Sequence, residues 1–263
     1  MDLGIRGRRA LVGGASSGLG RAIAERLAAE RCDLAITARR ADVLASVAAE
    51  LGAAHGVSAI PLPADMSVPG EAGRLASAAV DALGGIDILV LNAGGPPPVD
   101  PTTTDAAGWA RAFQLLAVSP IELASALLPG MRERGWGRVA AVISYGVRQP
   151  IDDLAYSNAG RSALVAWLKT VSRAVAADGV TVNGALPGRH ATPRIEALDR
   201  ATAERTGRTV EEVRAGHLAS IPAHRYGQPE EFAAYVAWIC SEPAGYQTGT
   251  FAAIDGGIIA GLP

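Results

Sequence analysis

Short apolar runs alternate with longer stretches of helical spacing along the whole chain. Arg9-Ala10-Leu11-Val12 opens the series as a strand, and Ala22, Ile23, Ala24 and Leu27 recur at helical intervals within 19–30. Further strands are predicted over 33–37, 57–62, 87–91, 138–143, 180–186 and 250–254. Helices are predicted over 41–51, 71–83, 109–134, 153–177 and 229–241, and 192–220 is charged and helix-prone. Gly84-Gly85 supplies a helix stop, and Pro229 suits a first helical turn. Pro120 lies inside the longest helical stretch, where its missing N–H should bend or break the helix. The alternation predicts an α/β fold, a doubly wound parallel sheet with helices on both faces. No linker, repeat or low-complexity segment interrupts it, so 1–263 reads as one domain, with 187–225 as an inserted loop and helix segment on the substrate side.

Composition narrows the function classes. The chain is 49% apolar and 19% charged, enough to fill a large core, with a formal net charge of −2. Acidic and basic residues are mixed, without the basic stripe a nucleic-acid partner needs. No continuous apolar run is long enough for a membrane span, which takes roughly eighteen residues. Residues 1–7 carry no apolar signal region, so the expected location is cytoplasmic. Cys32 and Cys240 are far apart in sequence and lack metal-ligand neighbours. They read as two buried thiols, and no metal site is expected.

Candidate chemistry begins at Gly13-Gly14-Ala15-Ser16-Ser17-Gly18-Leu19-Gly20, between the first strand and the first helix. The spacing G-x-x-x-G-x-G at Gly14, Gly18 and Gly20 lets the backbone turn tightly and approach a pyrophosphate. The following helix N-terminus offers it free N–H groups. Arg39-Arg40 follow the second strand, where the adenosine ribose of a dinucleotide should sit. Arginine there suits a 2′-phosphate, and Thr37-Ala38 offer no competing carboxylate, so NADP(H) is favoured over NAD(H).

With Asn92-Ala93-Gly94 after the fourth strand, Pro187-Gly188 after the sixth and Asp255-Gly256-Gly257 near the end, the chain resembles the short-chain dehydrogenase/reductase family over essentially its whole length. Most of it looks like a 3-oxoacyl-[acyl-carrier-protein] reductase. The resemblance implies a Rossmann-type dinucleotide fold. Asp65 and Met66 would then flank the adenine, and Asn92, Ala93 and Gly94 would line the nicotinamide ribose. Pro187 and Gly188 through Thr192 would cover the carboxamide. It also implies a homo-oligomer, a tetramer or dimer, to which the apolar segment 258–263 could contribute.

The family's proton-transfer pair, Tyr-x-x-x-Lys, is missing. The one lysine is Lys169, and Val165 stands four residues before it. Counting along the resemblance without gaps puts Ser144 at the serine position, Ser157 at the tyrosine, Arg161 at the lysine and Leu116 at the asparagine. A helix advances about 100° per residue, so Ser157 is about 40° from Arg161 while Tyr156 is about 140° away. Tyr156 is therefore either a core or interface aromatic or a proton donor shifted by one position. Tyr145, next to Ser144, should point to the opposite side of an extended segment. His190 is either a surface loop residue or a substrate-contacting acid, and His55 and His217 should face solvent. The loops at 95–99 and 189–221 suit a small organic substrate, one with a negative charge included. Three readings follow. One is an NADP(H)-dependent oxidoreductase with an atypical active site, acting on a carbonyl or alcohol. Another is an NADP(H)-binding protein without catalysis. The third is a lyase resembling the halohydrin dehalogenases, against which the intact glycines speak.

Overall fold

The computed structural model describes residues 1–261, so Leu262 and Pro263 of the C-terminal segment lie outside the described residues. Seven strands form one parallel sheet: β1 (Arg9–Gly13), β2 (Asp33–Thr37), β3 (Ala59–Pro61), β4 (Ile88–Leu91), β5 (Gly137–Val142), β6 (Val180–Pro187) and β7 (Phe251–Ile254). Their order is β3-β2-β1-β4-β5-β6-β7. The chain winds outward from β1 in one direction and restarts beside it with β4. This reversal opens a crevice at the C-terminal ends of β1 and β4.

Helices α1 (Gly18–Ala29), α2 (Ala41–His55) and α9 (Pro229–Ile239) cover one face. Their Ile23, Leu27, Leu44, Leu51, Phe232 and Val236 pack on Val12, Leu34 and Ile36 of the sheet. The other face is covered by α3 (Glu71–Leu83), α5 (Ser119–Glu133) and α6 (Ala155–Val175), which bury Leu75, Leu127, Leu164 and Leu168 against Leu89 and Val139. The expected strand and helix series is present. The third strand is shorter than the 57–62 read from the sequence, and α2 runs on to His55 before Gly56 turns left-handed.

Pro120 does not break its helix. The stretch starts earlier than expected, with α4 (Ala106–Phe113) capped by the Asp105 carboxylate on the Gly108 N–H, and continues into α5. Between them 114–118 widen into a π-turn, in which the Ser119 N–H reaches back to the Gln114 carbonyl. A proline at 120 cannot send an N–H to Leu116, and the widened turn absorbs that missing bond. The joined helix Ala106–Glu133 is long and apolar enough to cross a membrane, contrary to the reading of the sequence by continuous apolar runs. Here it packs as a core helix, burying Leu116, Leu123, Ala124, Leu127, Leu128 and Met131.

Segment 187–225 carries α7 (Pro193–Thr206) and α8 (Val210–Ser220). Thr192 caps α7, its hydroxyl accepting the Ile195 N–H, and Thr209 with Glu212 forms a reciprocal cap on α8. The buried Asp199 carboxylate ties this pair to the domain. It accepts from Tyr226 Oη (2.9 Å) and Arg189 Nη1 (3.3 Å) and lies 3.0 Å from His217 Nδ1. His217 is thus half-buried rather than solvent-facing. Burial pushes its imidazole below the ordinary value, with Arg189 adding to the shift and Asp199 opposing it. His55 stays near the surface beside Glu25.

The N-terminal end of the sheet is closed by Asp87, which receives the Arg9 backbone N–H, Arg9 Nε (2.9 Å) and Arg9 Nη2 (2.7 Å), and Arg134 Nε (3.2 Å). Burial acts to raise the Asp87 pKa, but these donors outweigh it and hold the carboxyl below its usual value. A carboxyl depressed in this way stabilises the fold above its unfolded pKa, and that contribution is lost as pH falls through the folded one. Asp87→Ala should therefore cost about 3 kcal/mol in urea unfolding at pH 7. The gap between variant and parent should shrink as the solution is acidified below the ordinary aspartate range. A gap that stays constant with pH would show that the charge is not what stabilises this corner.

Candidate active site

The crevice between the ends of β1 and β4 widens into a cleft of about 680 Å³. One end is built from the glycine turn. Gly14 (φ +61°) and Gly18 (φ +57°) take left-handed conformations that a side chain would strain. A Cβ on Gly20 would collide with the Gly14 carbonyl and lie 2.6 Å from Asn92 Nδ2, which donates to the Gly13 carbonyl at 3.0 Å. The first turn of α1 has no acidic residue and its N-cap, Ser17, makes no side-chain cap bond among the described residues, and Gly18, Leu19 and Gly20 line the cleft with their N–H groups. That is the donor set a pyrophosphate needs, and the cradle fits one.

Ser16, Ser17, Leu19, Arg39, Arg40, Asp65, Met66, Asn92, Ala93 and Gly94 line this half of the cleft together with Gly14, Gly18 and Gly20. Arg39 and Arg40 are exposed past β2, and Arg40 Nη2 reaches Ser16 Oγ at 3.4 Å. The Asp65 carboxylate accepts the Ser67 hydroxyl (2.7 Å) and N–H (3.0 Å), which hold it below its ordinary pKa, with nearby Arg39 contributing less. Pro187, Gly188 and Thr192 line the opposite wall. The Thr192 side chain stands 3.5 Å from where a Cβ on Gly18 would be, so the start of α7 closes over the glycine turn.

The other half contains the candidate chemical groups. Ser144 follows β5, and its Oγ accepts the Gly146 N–H at 3.0 Å, capping a single 3₁₀ turn over Tyr145–Val147. Ser157 and Arg161 sit one turn apart on α6, with Arg161 Nε donating to Ser157 Oγ (3.2 Å) and Nη1 to the Val142 carbonyl (3.0 Å). Burial pushes the Arg161 guanidinium down to about 10, and the neighbouring charge of Arg194 acts in the same direction. It remains a cation at neutral pH.

Tyr156 is turned away. Its hydroxyl accepts the Asp105 N–H at 3.0 Å, and its ring meets Trp109 edge-on at 4.7 Å. It lies directly against Gly108. The geometry follows from α6 itself: Tyr156, Gly160 and Leu164 form one buried stripe against α4 and the π-turn, and Ser157 and Arg161 form the next stripe, facing the cleft. Gly160 has its own role, because a Cβ there would press within 3.2 Å of Leu116. Leu116 borders a small apolar cavity of about 40 Å³ beneath the cleft, where the family's asparagine would stand.

Two sequence expectations change here, and one residue is added. Tyr145 lines the cleft instead of pointing away, because the 3₁₀ turn ends the extended segment at Ser144. Burial pushes its phenol up, only partly offset by Arg189. His190 is buried, packed edge-on to Phe232 at 5.2 Å and against Gly227, and burial pushes its imidazole down. It is therefore not a surface loop residue, although it lines the cleft. Arg194 escaped the sequence reading of the site. It crosses from α7 to donate to the Pro96 carbonyl at 2.7 Å. Its only sequence signal is that it lies two residues past Thr192. The two thiols are buried as expected, Cys32 and Cys240 each pushed up to about 12, chiefly by desolvation. No group of three or more metal-ligating side chains occurs among the described residues.

Comparisons with known proteins agree with this geometry. Residues 14–259 match the family profile described as Enoyl-(Acyl carrier protein) reductase. The 3-oxoacyl-[acyl-carrier-protein] reductase FabG of Vibrio cholerae is 31% identical over 97% of this chain and 99% of its own. Among solved structures, L-sorbose reductase from Gluconobacter frateurii, complexed with NADPH and L-sorbose, superposes with a TM-score of 0.94 at 31% identity, covering all of both chains. YwfH, an NADPH-dependent reductase involved in bacilysin biosynthesis, gives 0.93 at 28% identity, covering 97% of this chain and 100% of its own. The parallel sheet, the glycine cradle and the full-length similarity lead to one assignment: the chain belongs to the short-chain dehydrogenase/reductase family of oxidoreductases.

Proposed function

We propose that the protein is an NADP(H)-dependent oxidoreductase that interconverts a carbonyl and an alcohol on a small organic substrate, with an atypical proton-handling set. One observation carries the cofactor preference. The cleft joins the glycine cradle of α1 to two exposed guanidinia, Arg39 and Arg40, and neither enters a salt bridge among the described residues. Two free cations suit a 2′-phosphate, whereas a ribose hydroxyl asks for a carboxylate. In support, the sorbose reductase and an actinorhodin polyketide ketoreductase that superposes at 0.91 are structures with NADPH, and YwfH is an NADPH-dependent reductase. When bound, the coenzyme supplies or takes the hydride.

The protein's part is to hold the oxygen of the reacting group. Ser144 Oγ accepts the Gly146 N–H, which leaves its hydroxyl hydrogen to donate into the cleft. Ser157 accepts from Arg161 and can likewise donate. Arg161, anchored on Val142, puts a fixed positive charge beside an oxygen that becomes negative, and such preorganised charge stabilises the transition state. We assign Ser144, Ser157 and Arg161 to the site and leave out Tyr156, whose hydroxyl is engaged outside the cleft. Burial moves two further proton-bearing groups on the cleft wall away from neutrality, the Tyr145 phenol upward and the His190 imidazole downward. The intact cradle argues against the lyase reading, which needs an anion pocket in its place. We also read the chain as a homo-oligomer, because Phe113 and Val118 stay exposed on the long helix.

Three outcomes test this reading. NADPH should bind at least ten times more tightly than NADH in fluorescence titration, and Arg39→Ala with Arg40→Ala should erase the difference; equal affinities in the parent protein would refute the preference. Simple unactivated ketones should turn over about 10²- to 10⁴-fold more slowly than in enzymes with a positioned acid. Turnover at several per second would mean that a competent donor is present. Tyr156→Phe should leave NADPH affinity and turnover within twofold while lowering stability by about 1 kcal/mol, the worth of its bond to Asp105. Loss of turnover with stability unchanged would return Tyr156 to the catalytic set.

A further inference from the structure

Positive charge lines the cleft beyond its adenosine end. Arg39, Arg40, Arg161, Arg189 and Arg194 line it, against the single carboxylate of Asp65. Arg39 and Arg40 stand at the adenosine end, and Arg189 is paired with the buried Asp199. Arg161 and Arg194 remain. Neither enters a salt bridge among the described residues, and their bonds go to carbonyls and to Ser157. They converge on one point: a Cβ on Gly95 would lie 3.3 Å from Arg194 Nη2 and 3.9 Å from Arg161 Nη2. Both guanidinium ends therefore lie beside the Gly95 backbone, with no side chain of residue 95 between them.

Two guanidinia brought together in a partly desolvated site repel each other. Burial lowers the pKa of both, and the charge of Arg194 lowers that of Arg161 further. An anion between them would remove that cost and accept several charge-assisted bonds. Neutral ribose hydroxyls cannot do this. The same cleft is lined by the apolar Ile151, Leu154, Ile195 and Leu198 and the Tyr145 ring, beside the polar Ser144, Ser157 and His190.

The geometry points to a substrate that carries a carboxylate on an apolar body, with the carboxylate seated between Arg161 and Arg194 and Arg194 acting as the specificity determinant. This rests on the NADP(H) reading, since the coenzyme would form the floor of the same cleft. The competing source of negative charge is the coenzyme's pyrophosphate, but the α1 N-terminus already offers that group its donors, and Thr192 closes over it. Nothing comparable serves a second anion except the arginine pair.

The test is calorimetric binding to the full chain saturated with NADP⁺, a state in which a 2-oxo acid cannot be reduced. Benzoylformate, an aromatic 2-oxo acid, is compared with its uncharged methyl ester. The anion should bind at least tenfold more tightly than the ester. Arg194→Gln should abolish the preference while NADP⁺ affinity stays within threefold, and Arg194→Lys should recover part of it. Equal binding of acid and ester, or no binding of the acid at millimolar concentration, overturns the inference. So does a tenfold loss of NADP⁺ affinity in Arg194→Gln, which would give the arginine to the coenzyme. The NADP⁺ titration comes first: a parent protein that does not bind the coenzyme fails there, which marks the underlying reading as the one at fault.

Discussion

The close approach of two strand ends decides what this fold can hold. Gly13 and Gly20 bring the backbone of the first β-unit against Asn92, whose amide donates to the Gly13 carbonyl. Side chains at these glycines would force β1 and β4 apart at the C-terminal edge of the sheet, where the cleft floor lies. All later features of the site are measured from that floor. The α1 N-terminus projects into the cleft because Gly18 turns left-handed. Arg161 reaches the same space because Val142, at the end of β5, leaves a carbonyl for it to grip.

The parallel sheet and the glycine turn were largely legible from the sequence, since they depend on backbone requirements that only a few residue types meet. Gly14, Gly18 and Gly20 declare a turn by lacking side chains, and the apolar runs at 33–37 and 87–91 declare buried strands. The α6 stripe was legible as well, because helical rotation alone separates Ser157 and Arg161 from Tyr156. What could not be read was how exceptions are compensated. Pro120 looked like a break because the sequence does not announce that 114–118 will widen to absorb the missing bond. Tyr145 looked turned away because a single 3₁₀ turn after Ser144 changes the side its ring takes.

Long-range partnerships were the other blind spot. Asp199, His217, Tyr226 and Arg189 come from separate segments and meet only because α7 and α8 fold back over the domain. Arg194 is one of many arginines in the chain. What singles it out is the Pro96 carbonyl across the cleft, almost a hundred positions away. Charge that is unremarkable in composition becomes informative once it is known which guanidinia have carboxylate partners and which do not.

The contact of Tyr156 with Asp105 constrains its neighbours on α6. A phenol that accepts the Asp105 N–H cannot reach the cleft without leaving that N–H unpartnered at the start of α4. Placing a tyrosine at 157 instead would set its ring against Arg161, which fills that space and cannot tune a phenol as an amine does. Exchanging Arg161 for lysine alone would forfeit the grip on Val142. The four positions 105, 156, 157 and 161 are therefore mutually dependent, and a change at any one of them removes a bond that another relies on.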